Sequence, residues 1–336
     1  MKKKILSLLL CTAMAVTLLA GCGGKKEEAP AKETETETEA PAEEAGAEEE
    51  APAESGDKKK VILITMDSTD QHWMAVDAGA KAAADELGVD YEWMAPDKKD
   101  DAQQIERVNN AVAAGANAIM IAANGPDAIT ASLEEAEAEG VKIIYVDSPA
   151  NAPAEATFST DNKQAGTTAG EKLIAELEAA GTTEGKIGIV GINPATASTV
   201  AREEGFRAAF EGKGYELLET QYGEGDIAKS QDIADNYITD GCVGIFGTNE
   251  GSTVGTGNAV KADGGGIVAV GFDKSDAILA LIDEGFVVAA MSQNPDVMGS
   301  EGMKAAVQAI NGEAIPETEV DTGVSVITKE NLAEFK

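Results

Sequence analysis

From Lys60 onward, short apolar runs rich in β-branched residues alternate with longer Ala-rich stretches of helical spacing. That alternation restricts the chain to an α/β fold of βαβ units, because each period specifies a different element. The strand runs are Val61–Met66, Tyr91–Met94, Ala118–Ala122, Lys142–Val146, Lys186–Ile192, Glu216–Gln221, Gly244–Phe246, Ile267–Gly271, Val287–Ser292 and Val324–Thr328. Several are apolar throughout, as strands of a parallel sheet covered on both faces require. The helical stretches include Asp101–Ala114, Pro126–Glu139, Ala165–Ala179, Ala201–Gly212 and Pro295–Asn311. Asp100 or Asp101 can cap one helix, Pro126 suits a first helical position, and Gly88, Gly115, Gly140 and Gly181 stop others. The pattern predicts two Rossmann-like lobes, in which ligands sit beyond the carboxyl ends of the strands. The polar residues just after strands are therefore the candidates for a site.

The N-terminus has a different character. Lys2-Lys3-Lys4 and the apolar run Ile5 to Ala20 have the form of a secretory signal, too short for a spanning helix of about 20 apolar residues. The run ends Leu19-Ala20-Gly21-Cys22, which looks like a bacterial lipobox, with residues 1–21 removed and the Cys22 thiol carrying diacylglycerol. An ordinary signal peptide with an incidental cysteine is the alternative. Residues 23–57 offer no large apolar side chain and hold mostly Glu, Ala, Pro, Thr and Gly. Such a stretch cannot offset its ordering entropy, so 22–57 is expected to be a lipidated cysteine followed by a disordered acidic tether. The expected location is the extracytoplasmic face of the cell membrane, held through the lipid alone. Of the three cysteines only Cys242 then remains, so no intrachain disulfide is possible. Beside Val243-Gly244-Ile245-Phe246 it reads as a small buried residue, with a reactive thiol as the alternative.

Charge and missing motifs remove other classes. The chain carries 26 Lys+Arg against 60 Asp+Glu, a formal charge of −34. That balance opposes nucleic acid and anionic lipid as partners of the folded surface. Gly181-Thr182-Thr183-Glu184-Gly185-Lys186 is one residue too short for a phosphate loop, and Gly255-Thr256-Gly257 lacks the third glycine of a dinucleotide site. His72 is the only histidine. It leaves no multi-His metal site, and Asp97, Asp100 and Asp101 lack calcium-loop spacing. No metal and no cofactor are expected, and a binding role fits better than a catalytic one.

The strand-end residues resemble those of the ribose-type (type I) periplasmic sugar-binding proteins, the substrate receptors of ABC importers. The likeness covers essentially all of 60–336. It rests on Ile64-Thr65-Met66-Asp67-Ser68-Thr69-Asp70-Gln71-His72-Trp73, Tyr145-Val146-Asp147, Ser159-Thr160-Asp161-Asn162, Arg202 with Gly205-Phe206, Thr248-Asn249-Glu250-Gly251, Val270-Gly271-Phe272-Asp273 and Ser292-Gln293-Asn294-Pro295, all in the family's order. The resemblance implies two α/β lobes with parallel sheets joined by three crossovers, near Ser159–Asn162, Ser292–Pro295 and Glu319–Thr322. The lobes would comprise 58–160 plus 294–320 and 161–293 plus 321–336. It implies ligand contacts at Asp70, His72, Trp73, Asp147, Arg202, Asn249, Asp273 and Gln293. Asn124 stands in for an Asn the family has where Ala122 falls. Ser148 replaces an Arg, Gly225 replaces a second-lobe aromatic, and Asp70 replaces the usual Asn, which argues against ribose itself.

Each of these residues also has a plain structural reading. Trp73 could be core, His72 a solvated first-turn residue, Asp147 and Asp273 helix caps, and Arg202 a partner of Glu203 or Glu204. Taken as a site, Asp70, Asp147 and Asp273 against Arg202 give a charge near −2, with His72 neutral. That favours a neutral monosaccharide or cyclic polyol and repels acidic or phosphorylated sugars. Asp70 and Ser148 leave room for a ligand amino group. The expected function is a monomeric receptor that closes on this ligand and delivers it to an ABC permease. A receptor presenting its closed form to a membrane sensor kinase or chemoreceptor is the alternative, and an enzyme acting on sugars is a third.

Overall fold

The computed structural model describes residues 58–336; the signal, Cys22 and the tether lie outside the described residues. The first lobe runs β1 (Lys60–Ile64), α1 (Gln71–Leu87), β2 (Asp90–Trp93), α2 (Asp101–Ala113), β3 (Ala118–Ile121), α3 (Pro126–Ala138), β4 (Lys142–Val146) and β5 (Ala156–Ser159). The chain then crosses to the second lobe for α4 (Asn162–Ala179), β6 (Gly185–Gly191), α5 (Ala197–Ala209), β7 (Tyr215–Leu217), β8 (Gln221–Tyr222) and α6 (Ile227–Thr239). It continues there through β9 (Cys242–Gly247), α7 (Glu250–Asp263), β10 (Val268–Phe272), α8 (Asp276–Glu284) and β11 (Ala289–Gln293). It returns for α9 (Pro295–Asn311) and β12 (Glu319–Asp321), and crosses a third time to β13 (Val324–Thr328).

The two sheets repeat one plan. The first has the order β12-β5-β4-β3-β1-β2 and the second β13-β11-β10-β9-β6-β7, with β8 beside β6. All pairs are parallel except β11 with β13, which is antiparallel and departs from the all-parallel expectation. Residues 216–221, expected as one strand, divide into β7 and β8. The polar segments β5 and β12 also join the first sheet, pairing Glu319 with Thr157 and Asp321 with Ser159. The third crossover thus begins one residue beyond the expected boundary at 320. Asp100 caps α2 by accepting from Gln103 N–H at 3.0 Å, and Asp161 starts α4 earlier than expected by accepting from Gln164 N–H at 3.0 Å.

Both faces of each sheet are covered. In the first lobe α1 and α9 lie over one face, around Trp73, Val76 and Met298, and α2 and α3 cover the other, around Val108 and Leu133. In the second, α4 and α5 bury Phe206, Phe246 and Phe272 on one face. Helices α6, α7 and α8 close the other, where Cys242 is buried, has no disulfide among the described residues, and has its thiol pushed up to about 11 by burial. That environment makes it a packing residue rather than a reactive one.

Glycines set how closely the paired helices approach. A Cβ on Gly205 of α5 would stand 1.9 Å from the Lys163 carbonyl oxygen of α4, and one on Gly79 of α1 would stand 2.1 Å from that of Asp296 in α9. Mid-helix Gly→Ala ordinarily stabilises by about 0.5–1 kcal/mol. Here we expect the opposite sign. Gly79→Ala and Gly205→Ala should each cost roughly 1–3 kcal/mol in denaturant unfolding, as overpacking does. A neutral or stabilising effect would contradict the close packing.

Candidate ligand-binding site

The carboxyl ends of the two sheets face one another across a cleft. Asp147 follows β4 directly and Asp273 follows β10, strands that hold equivalent places in the two sheets. Both aspartates adopt the left-handed backbone, at φ 63° and 74°. That conformation costs an ordinary L-residue about 1–2 kcal/mol, and Asp tolerates it better than most. Neither caps a helix; Ser275 caps α8 instead. Strain at matched strand ends, aimed into one cleft, marks a functional position.

His72, in the first turn of α1, lies between them. Its Nε2 is 3.0 Å from Asp147 Oδ2 and its Nδ1 3.6 Å from Asp273 Oδ1. It is buried, not solvated. Burial alone would lower its pKa, but Asp273 and Asp147 outweigh burial and raise it, so the ring carries charge beyond the ordinary range. Burial likewise pushes the Asp147 carboxyl up, but His72, Arg202 and Ser148 prevail and hold it at about 2. Arg202, from α5, is stacked over Phe272 at 4.2 Å. It donates to Asn162 Oδ1 at 2.7 Å and to the Thr248 carbonyl at 2.9 Å, and its Nη2 lies 3.9 Å from Asp147. Glu203 pairs with Arg207 instead, and Glu204 with Lys163.

Trp73 packs in the first-lobe core and also lines the cleft, so the two readings of it coincide. Among the described residues its Nε1 and the Arg202 Nη2 are buried without a hydrogen-bond partner. An unsatisfied buried donor costs about 1–3 kcal/mol, so two of them on residues that line one cavity mark where an added acceptor would be favourable. Asn249 lines the same space while its Oδ1 caps α7, accepting from Ser252 N–H at 3.3 Å and also from Ser252 Oγ at 2.6 Å. Gln293 accepts from Thr160 Oγ1 at 2.9 Å and donates to Asp273 Oδ1 at 2.6 Å.

Three expectations need correction. Asn124 does not join this cavity. It donates to Asp101, its carbonyl accepts from Thr196 Oγ1 at 2.6 Å, and its Oδ1 from Asn193 at 3.4 Å, so it is a contact between the lobes at the cleft's edge. The backbone beyond β3 places it past the strand end where Ala122 sits. The site charge needs two further groups. Lys99, from the loop after β2, is buried in the cleft against Asp67 and Asp70, the latter at 2.8 Å. Lys99 and Asp67 cancel in the count, and His72, between two aspartates, takes up a proton more readily than an ordinary histidine, which draws the balance up from −2. Finally, both groups expected to leave room for a ligand amine already have partners. Lys99 pairs with Asp70, and the Ser148 hydroxyl donates to Asp147 at 2.6 Å and can accept from Ser198 of the other lobe, 2.7 Å away. Lys99 lies at a strand's carboxyl end, which was the signal for it, but the surrounding run of charged residues disguised it.

The lobes stand closed. Besides the contacts of Asn124 and Ser148, the His72 N–H donates to Glu250 Oε2 at 3.1 Å and the Asp276 N–H to Gln71 Oε1 at 3.1 Å. In this arrangement the lining residues leave room for little more than a water molecule, so the lobes must part to admit a ligand. Burial, with Asp70 and Asp273 nearby, raises the Glu250 carboxyl to about 7. Among the described residues no cluster has the makings of a metal site.

Comparison with known proteins places these features. A profile of the periplasmic binding protein domain matches residues 61–314. The ribose import binding protein of Haemophilus influenzae is 27% identical over 255 residues, covering 75% of this chain and 85% of that one. A carbohydrate transporter solute-binding protein from Agrobacterium radiobacter, solved with D-arabinose, superposes with a TM-score of 0.79 at 30% identity, over 83% of this chain and 97% of its own. An ABC transporter solute-binding protein from Agrobacterium vitis, bound to α-D-tagatopyranose, gives 0.78 at 26% identity over 83% and 99%. These relatives bear the names of binding proteins, not of enzymes.

The buried titratable groups give a pH dependence with a definite sign. A raised histidine stabilises fully below its ordinary value near 6.5, and that contribution is lost as pH rises through the folded value. Ionising Glu250 costs stability between its ordinary 4.5 and about 7. Both trends lower stability as pH rises, whereas the Asp147 contribution, present above 3.8, is lost only as pH falls toward 2. The melting temperature should therefore fall from about pH 5.5 to about pH 8.5, and fall less in His72→Gln and Glu250→Gln. Equal slopes in all three proteins would refute this, since the acidic surface is common to them.

Proposed function

Because the chain belongs to the ribose-type periplasmic binding proteins, we propose that it is an extracytoplasmic receptor that captures a monosaccharide or cyclic polyol by lobe closure and delivers it to an ABC permease. The observation that carries this reading is the pairing of strand-end carboxylates with two buried donors left unpartnered among the described residues, all on side chains that line one closed cleft between the lobes. A sugar hydroxyl donates and accepts at once, so it can give its proton to Asp147 or Asp273 and accept from Arg202 or Trp73. The indole also offers an apolar plate to the C–H face of a ring. The lining charges pair among themselves. A ligand with net charge would bring uncompensated charge into a buried site, which favours a neutral one.

Closure follows from the same contacts. A ligand held between lobes stabilises the closed form by its differential affinity for the two states. The three crossovers are the segments that bend. The sugars bound by the solved neighbours support the ligand class, and the permease as recipient is supported by the import role in the relatives' names. The Leu19–Cys22 sequence supports a lipid anchor at the membrane face.

A thermal-shift screen over neutral, amino, acidic and phosphorylated sugars tests the ligand class, with stabilisation expected from a neutral member. Stabilisation by acidic or phosphorylated sugars alone would overturn it. Trp73→Ala and Asp147→Ala should each weaken binding of that sugar by at least about tenfold in calorimetry while circular dichroism stays native. Unchanged affinity in both would remove the site. For the anchor, Cys22→Ala should release the protein to the medium or leave an uncut precursor in the membrane. A variant that is still processed and membrane-bound would exclude lipidation there.

A further inference from the structure

Lys99 is the cation at this site that no strand-end aspartate motif accounts for. Its side chain is only 6% exposed, and it lines the cavity together with Trp73, Asp147 and Arg202. Asp67 holds it from one direction. Asp67 Oδ1 is spent on Thr69 N–H, Thr69 Oγ1 and Asp70 N–H, at 2.7 to 3.0 Å, which leaves Oδ2 for the ammonium. Asp70 Oδ2 holds it from another at 2.8 Å. Burial alone would lower the Lys99 pKa, yet Asp70 and Asp67 raise it, so the charge persists at neutral pH. An ammonium has three protons, and its hydrogen bonds within the described residues go to these two carboxylates only.

The opposite lobe makes room for it. Gly225 has φ +72°, and a Cβ there would stand 2.8–2.9 Å from Lys99 Cδ, Cε and Nζ. The lysine stem thus reaches across the cleft to the backbone of the second lobe and fills space that a side chain at 225 would take.

We propose that Lys99 is a specificity-determining residue: its ammonium occupies, against Asp67 and Asp70, the position that an amino group on the ligand would need, so the cleft takes a neutral polyhydroxylated ring and rejects an amino-substituted one. Its third proton is offered to an oxygen of that ring, and its stem against Gly225 bounds the ring's edge. This rests on the sugar-receptor reading and narrows it.

The test is calorimetry on the full chain without its signal, with a neutral sugar identified in the panel and its 2-amino counterpart. Wild type should prefer the neutral sugar by at least about tenfold. Lys99→Met keeps the stem, frees both carboxylates and removes the competing charge. It should bind the neutral sugar more weakly and reverse or abolish the preference. Lys99→Met combined with Asp70→Asn leaves one fewer carboxylate for an amine and should gain less. Wild type that binds both sugars equally overturns the proposal without any variant. So does a folded Lys99→Met with the wild-type preference. If wild type binds no neutral sugar at all, the receptor reading fails first and this one with it.

Discussion

The arrangement turns on one imidazole held between two carboxylates that belong to different lobes. Asp147 and Asp273 end equivalent strands and are turned inward by the same left-handed backbone. Two buried carboxylates facing one cavity would repel each other if nothing compensated them. His72 and Arg202 supply that compensation, each from the first half of a helix. The placement of α1 and α5 is therefore as much a part of the site as the strand ends are. It is fixed in turn by glycines that let each of these helices lie close against its neighbour.

A second consequence is that polar groups in the cleft divide into two kinds. Some are satisfied within the chain: the Asp67 carboxylate is filled by its own loop and by Lys99, and Asn249 closes a helix. Others are left incomplete, as the Trp73 and Arg202 donors are. The satisfied groups give the walls a fixed shape, and the incomplete ones mark where a ligand has to supply atoms. Burying both kinds side by side is costly for a folding domain unless a partner completes the set.

Much of this was legible in the sequence. Alternating periods gave two α/β lobes, since β-branched runs and Ala-rich stretches cannot exchange roles; the strand-end rule said where to look, and the family resemblance singled out Asp147, Asp273 and Gln293 there. What escaped notice had local causes. Ala156–Ser159 and Glu319–Asp321 are too short to announce themselves as strands, and they become strands by extending the first sheet, the former beside β4 and the latter beside the former at its edge. The partners of Lys99 are separated from it by about two elements of chain, so its charge looked like one more solvated lysine beside Lys98. The histidine was read at its ordinary pKa because the second aspartate that raises it comes from the other lobe.

Gln293 serves two structures at once. It closes β11 on the threshold of a crossover, where Thr160 of another crossover donates to its oxygen, and its nitrogen holds Asp273. Bending the connections between the lobes therefore has to drag the amide that orients a cleft carboxylate. Stiffness and recognition share a single side chain here, so natural variation cannot retune one of them at this position without disturbing the other.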